Sequence, residues 1–336
     1  MNIKIYIRRN TMENNTENIT TSTTDTPVDA NLEATEKVAP EEKIDTVEMP
    51  DTVDTTENDT IETNATKTDT KKKPKKKRKN LRIVLLSLLA IILIAIIAIS
   101  IIADGNVKAM NDCIDTAMTE LKAHYTVTEL DPGEYDEMTI YGIMNFDVEQ
   151  YYIEELGNLS VMRVNVGFMQ MATFVITPLE KNAPLLSIDY MYILGNRKCY
   201  VEFYDIVEEK DEQYMALMDD LKKVEDKYNY LEDIETSEAW YAHLQTVTFY
   251  KGGGSKFDKD FKAMLKDSLS TYLSHSTDFP ALSEEERAIK HSLTLDYTNG
   301  LVEKGGISTD VFKNSLGDEE TKRFFDKAFF GTGVKR

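Results

Sequence analysis

Asp189 is the residue in this chain whose surroundings most resemble a chemical site. It lies inside Leu185-Leu186-Ser187-Ile188-Asp189-Tyr190-Met191-Tyr192-Ile193, a run that is otherwise apolar, aromatic or hydroxyl-bearing. A carboxyl group buried in such a strand loses hydration, so its pKa rises and it can hold a proton for donation near neutral pH. The same alternation also accommodates an acid that faces water or caps a neighbouring turn. The sequence leaves both placements open.

Other candidate chemistry is sparse. Two cysteines, Cys113 and Cys199, lie far apart in different kinds of element, with no CxxC pair. The four histidines, His124, His243, His275 and His291, show no HxH or HxxxH spacing. A thiolate cluster or zinc site is therefore not expected, and the cysteines read as two separate buried thiols, although an oxidising compartment would permit a disulfide. Gly252-Gly253-Gly254-Ser255 precedes a helical pattern, where backbone amides can bind anions. It lacks the Lys-Ser/Thr of a P-loop and reads as a flexible turn, as does Gly305-Gly306. With no GxSxG or HExxH motif, the common hydrolase arrangements are absent.

The elements that must position Asp189 follow from periodicity. Val107, Met110, Cys113, Ile114, Ala117, Met118, Leu121 and Tyr125 recur at three-to-four spacing and predict an amphipathic helix. After the turn at Asp131-Pro132-Gly133, the segments 138–146, 161–168, 171–177, 185–194 and 200–204 are rich in aromatic and β-branched residues and predict strands. Short connections through Gly157-Asn158, Pro178 to Pro184 and Gly195-Asn196 favour an antiparallel meander. Helical faces follow at Tyr214 to Leu231 and at Phe257 to Leu273. A third helix starts at Ser283, whose spacing to Glu286 suits a capping box, with a further short strand at Thr246 to Tyr250. Strands followed by helices predict an α+β fold built on an antiparallel sheet.

Charge and hydropathy fix the rest of the organisation. Residues 1–70 carry 16 acids against 6 bases, residues 71–82 carry 9 bases and no acid, and the remainder carries 43 acids against 24 bases. A compact nucleic-acid binder is excluded, because the one strongly basic stretch is short and borders an apolar run. Between Thr11 and Thr70 the chain is mostly Thr, Asn, Asp and Glu without an aromatic residue, too polar to offset its ordering entropy. The opening MNIKIYIRRN differs from that tail, which leaves Met1 and Met12 both open as the start. Ile83 to Ala103 is nearly all Ile, Leu, Ala and Val. At about 1.5 Å per residue it covers roughly 31 Å, the thickness of a bilayer's hydrocarbon core.

The sequence therefore predicts a disordered acidic Thr-rich tail (1–70), a polybasic juxtamembrane segment (71–82), a transmembrane helix (83–103), a membrane-proximal helix (104–130) and an α+β domain (131–336). The run Lys71 to Lys79, KKKPKKKRK, suits anionic lipid headgroups and, by the positive-inside bias, places the N-terminus in the cytoplasm. The span is then a single-pass signal anchor in the cell membrane, and the C-terminal domain belongs to the cell envelope, outside the cytoplasm. The net charge of -19 on residues 104–336 is expected to hold the domain off anionic headgroups.

Within that domain, Thr173-Phe174-Val175-Ile176-Thr177-Pro178, then Pro184-Leu185 and Asp189, resemble the paired central strands of the ferredoxin-dependent bilin reductases. Tyr297, Phe312 to Gly317, and Lys322-Arg323-Phe324-Phe325 to Phe330 are similar to that family's closing helices, so the resemblance covers about residues 140–330. It implies an α/β/α sandwich with a tetrapyrrole between the sheet and the C-terminal helices. It also implies that Asp189 donates protons to the ligand, as a general acid. The alignment puts Thr173 where some members carry a histidine, and Gly305 near a C-terminal Asp or Asn. Ferredoxins are acidic, and an acidic domain outside the cytoplasm is not expected to meet one. The expected function is thus binding of a flat hydrophobic ligand of tetrapyrrole type, with reductase activity a further step that needs another electron donor. The alternative is a non-enzymatic envelope module that binds a protein or polymer.

Overall fold

The computed structural model describes residues 76–306 and 309–334, with side chains from Leu81 onward. The acidic tail, both candidate start sites and most of the polybasic segment lie outside the described residues.

The first helix, α1, runs from Lys76 to His124 without a break. From Leu81 to Ile102 its aliphatic side chains are exposed, and one helix of this length and apolarity could cross a bilayer. At Ala103 the same helix becomes part of the domain: Ala103, Asn106, Met110, Cys113, Ile114, Ala117 and Leu121 are all buried. Their three-to-four spacing is the stripe that a helix lays on a sheet. The membrane-proximal segment is therefore not a separate helix, and it ends earlier than the sequence predicts. Val127–Leu130 forms β1, at the sheet edge.

A nine-stranded sheet follows, in the order β1-β3-β4-β5-β6-β7-β9-β8, with β2 paired to β3. The remaining strands are β2 (Glu137–Ile140), β3 (Met144–Ile153), β4 (Gly157–Asn165), β5 (Met169–Pro178), β6 (Leu185–Ile193), β7 (Asn196–Tyr204), β8 (Glu232–Asp233) and β9 (Gln245–Gly254). Every pairing is antiparallel. The single strand predicted over 138–146 is instead the β2–β3 hairpin, because Tyr141 and Gly142 both adopt positive φ and turn the chain. Gly252 to Gly254, expected to be a flexible turn, is the end of β9. There Gly253 lies against the Phe257 ring, which an added Cβ would approach to 2.7 Å.

Helices cover both faces of the sheet. α2 (Glu212–Lys227) and α3 (Asp258–Asp278) join α1 on one face. On the other lie α4 (Glu284–Lys304), α5 (Thr309–Leu316), α6 (Asp318–Phe324) and a π-helical turn at Phe325–Phe329. The Ser283 capping box is present, with the Ser283 hydroxyl accepting from the Glu286 amide and the Glu286 carboxylate from the Ser283 amide. Two buried lysines tie the helices to strand ends. Lys290 of α4 donates to the Ala183 and Ile206 carbonyls. Lys181 donates to the Ser276 and Thr277 carbonyls at 2.9 Å each, at the end of α3. The fold is the predicted α+β class, a three-layer α/β/α sandwich.

Replacing Ile114 by Ala, in the buried stripe of α1, should lower the unfolding free energy of the domain by about 2–5 kcal/mol in chemical denaturation. Ile96→Ala, in the exposed run of the same helix, should leave it unchanged.

Candidate functional site

Strand alternation divides β6 between two cores. Leu186, Ile188, Tyr190 and Tyr192 face α1–α3, whereas Leu185 packs with the α4–α6 core. Ser187, Asp189 and Met191 share the face of Leu185. Asp189 therefore points toward the layer of the C-terminal helices and caps no turn. It pairs across the sheet with Thr173 on β5 and Tyr200 on β7. Thr173 Oγ1 donates to Asp189 Oδ1 at 2.5 Å, and Ser187 Oγ donates to Oδ2 at 2.9 Å. Burial pushes the Asp189 carboxyl upward, and the two hydroxyls offset part of that rise. The side chain is surrounded by protein yet keeps some contact with solvent.

A second carboxyl group stands beside it. Glu202 on β7 is paired with Ser187, which makes it a diagonal neighbour of Asp189 on the same face. Its carboxylate accepts from the Tyr250 hydroxyl at 2.7 Å, Gln245 Nε2 at 2.8 Å and the Tyr204 hydroxyl at 3.0 Å. Burial raises its pKa, and the nearby charge of Asp189 adds to the rise against the pull of those donors. The sequence reading missed Glu202. The signal available was the alternation Tyr200-Val201-Glu202-Phe203-Tyr204, which puts an acid on the same face as two tyrosines.

Aromatic side chains close the site at one side. Tyr200 and Tyr250 stack edge-on with ring centroids 5.6 Å apart. Tyr297 on α4 meets Tyr204 at 5.1 Å, and Tyr241 lies 5.8 Å from Tyr204. Trp240 donates from Nε1 to the Gly305 carbonyl at 2.8 Å and lies against Gly300, where an added Cβ would meet its ring at 2.4 Å. Gly305, aligned by resemblance with an acidic or amide residue, thus serves as the C-cap of α4 and as an acceptor for Trp240.

Burial across this face changes along the strands. Leu185, Val175 and Tyr204 are buried, whereas Asp189, Met191, Lys198, Tyr200 and Met171 are only half-buried. This face of the sheet is therefore more open toward the β6–β7 turn and closed at the other end of the strands. A surface groove of about 780 Å³ lies elsewhere, between the start of the buried part of α1 and Asn165.

The remaining sequence candidates do not converge here. Cys113 and Cys199 are free and buried on the opposite face, where burial pushes the Cys113 thiol up to about 11. His275 meets Asp220 at 2.9 Å, while His124, His243 and His291 each contact a different backbone carbonyl. Among the described residues no group of three His, Cys, Asp or Glu side chains could hold a metal ion.

No family model matches the sequence, and no curated protein matches it. Among solved structures, the chain is similar to the crystal structure of phytochromobilin synthase from tomato in complex with biliverdin, a ferredoxin-dependent bilin reductase. The two are 12% identical with a TM-score of 0.54, over 66% of this chain and 83% of the tomato chain. The likeness is one of fold.

The raised carboxyls carry a pH signature. In the folded chain Asp189 and Glu202 keep protons that the unfolded chain would release, so their contribution to stability is present below the ordinary carboxylate range and lost as pH rises through the raised values. The melting temperature of Asp189→Asn relative to the unsubstituted chain should therefore shift in favour of the variant as pH rises from about 4, the ordinary carboxylate range, through neutral. A constant difference across that range would mean an unperturbed carboxyl.

Proposed function

We propose that this chain is a single-pass, membrane-anchored protein whose α/β/α domain binds a flat hydrophobic ligand of tetrapyrrole type in the cleft between the sheet and α4–α6. The observation that carries this reading is the inward placement of Asp189. A protonatable carboxyl stands on the cleft floor, hydrogen-bonded by Thr173 and Ser187, with Glu202 beside it and aromatic rings around it. It is supported by a fold shared with a protein whose structure holds biliverdin.

The chemistry available to such a site is general acid catalysis. Reduction of one conjugated double bond takes two electrons and two protons. Asp189 supplies a proton to the ligand, and Glu202 is the second group on that face able to exchange one. The electrons come from a donor other than ferredoxin, such as a reduced flavin. The reasons are the net charge of -19 on the remainder of the chain, which disfavours an acidic protein donor, and the cationic run before the span, which favours a cytoplasmic N-terminus and a domain outside the cytoplasm. That same run, Lys71 to Lys79, suits contact with anionic headgroups.

One observation favours a second reading, a non-enzymatic envelope module. Tyr204, Tyr241 and Tyr297 fill the space beneath α4 with mutually packed rings, and a surface groove of about 780 Å³ lies remote from Asp189.

Absorbance titration of the detergent-solubilised full chain with biliverdin and with haem separates the two. A visible band that shifts and saturates at one equivalent is the expected result. Asp189→Asn should then abolish reduction by flavin donors while leaving binding within a few-fold of the unsubstituted chain. No spectral change with either tetrapyrrole would put the module reading first, and unchanged turnover in Asp189→Asn would remove the acid from the mechanism.

A further inference from the structure

The hydrophobic span does not end at a linker. Ala103, the last residue of the apolar run, is already buried in the domain, and Asn106 one turn later is tied into the sheet. Asn106 Nδ2 donates to Gln170 Oε1 at 2.7 Å and to the Leu194 carbonyl at 2.9 Å. The Leu194 amide in turn donates to the Phe168 carbonyl at 2.9 Å, joining the β6–β7 and β4–β5 turns. At about 1.5 Å per residue, Asn106 lies roughly 5 Å beyond Ala103, within the depth of a headgroup layer.

The strand register brings a third turn to the same end. Asn165 pairs with Gln170 and Met169 with Ile193, so the β4–β5 and β6–β7 turns are level. Phe146 pairs with Val164, which brings the β2–β3 loop alongside them. These three tips hold four of the seven large apolar side chains that the described part of the domain leaves in water: Ile143 is 69% exposed, Phe168 53%, Tyr141 51% and Leu194 41%; the others are Met215, Tyr230 and Val334.

The tip segments 138–146, 164–172 and 190–196 contain no charged residue, and Arg197 and Lys198 follow the third. Acids stand at both ends of the sheet. Glu154 and Glu155 in the β3–β4 turn, Glu180 after β5, and Asp205, Glu208 and Glu209 after β7 lie at the end remote from the span, whereas Asp104, Asp258 in its ion pair with Arg197, and Glu232 and Asp233 of β8 lie toward the tips. Three uncharged, apolar-tipped turns beside a membrane helix have the composition of an interfacial contact.

We propose that the tips bearing Tyr141, Ile143, Phe168 and Leu194 insert into the headgroup layer of the bilayer that α1 crosses, so that the domain sits on the membrane by one end of its sheet. The proposal rests on α1 as a membrane span, and it identifies the lipid surface as the second partner of the domain.

The test uses the full chain in phosphatidylcholine vesicles in which part of the lipid carries a nitroxide near the top of the acyl chain. Single cysteines are introduced as Ile143→Cys, Phe168→Cys, Met215→Cys and Ile97→Cys, and labelled with a small fluorophore; native Cys113 and Cys199 are 1% and 0% exposed and stay unlabelled in the folded chain. Met215, near the start of α2, reports the opposite end, and Ile97 reports the span. Labels at 143 and 168 should lose at least about half of their emission, as expected for interfacial burial, and the label at 215 none. Adding Phe168→Glu and Leu194→Glu to the Ile143→Cys chain should return its quenching to the level at 215 with an unchanged circular dichroism spectrum. Quenching at 97 with none at 143 and 168 overturns the docking and leaves the span intact. Absence of quenching at 97 removes the span and the docking together. Equal quenching at 143, 168 and 215, or quenching at 143 that survives both glutamates, also overturns the proposal.

Discussion

The central sheet is buried on both faces, so each strand has to serve two cores with alternate residues. On β6 this means Leu186, Ile188, Tyr190 and Tyr192 for the α1–α3 layer and Leu185 for the α4–α6 layer. A shift of one residue in register would exchange the two sets. The antiparallel ladder from β3 to β7, nearly continuous in pairing, prevents that slip. The site inherits its geometry from this constraint. Asp189 and Glu202 share a face because Ser187 is opposite Glu202 and the side-chain period is two.

Placing two carboxyl groups on an inner face is costly, and the local sequence offsets the cost with donors. Thr173 and Ser187 serve Asp189; Tyr204, Gln245 and Tyr250 serve Glu202. Hydroxyl and amide donors allow a carboxyl group to remain protonatable, whereas an arginine or lysine partner would hold it ionised. Of the basic side chains buried elsewhere, Lys181 and Lys290 are occupied by backbone carbonyls at strand and helix ends, and Arg197 and Lys251 pair with Asp258 and Asp233. Lys181 and Lys290 pin the helical layers and leave the acids without a counter-ion.

Much of the fold was legible because its signals are local. The apolar run, the aromatic and β-branched content of β4 to β7 and the capping box at Ser283 each state their element in a few residues. What was illegible depended on contacts distant in sequence. Val127–Leu130 becomes a strand because β3 is available to pair with it, and the glycines at 252–254 become β9 because β7 and the Phe257 ring lie beside them. Asp189 stood out as an acid in an apolar strand. Glu202 did not, since its neighbours in sequence are ordinary, and its role follows from Tyr250 and Gln245 more than forty residues later. Trp240 over Gly300 and Gly305 was likewise invisible, because a loop residue gives no periodic signal.

The unbroken course of α1 has a mechanical consequence. A helix that crosses a bilayer tilts until its apolar length matches the hydrocarbon thickness. A flexible linker would insulate an anchored domain from that adjustment. Here the helix that carries the apolar run is also the helix that packs on the sheet, from Ala103 to Leu121. Were that run to cross a bilayer, any leaning of it would be a leaning of the whole sandwich, and a thicker or thinner membrane would re-aim the more open end of the sheet face as a rudder stock turns its blade.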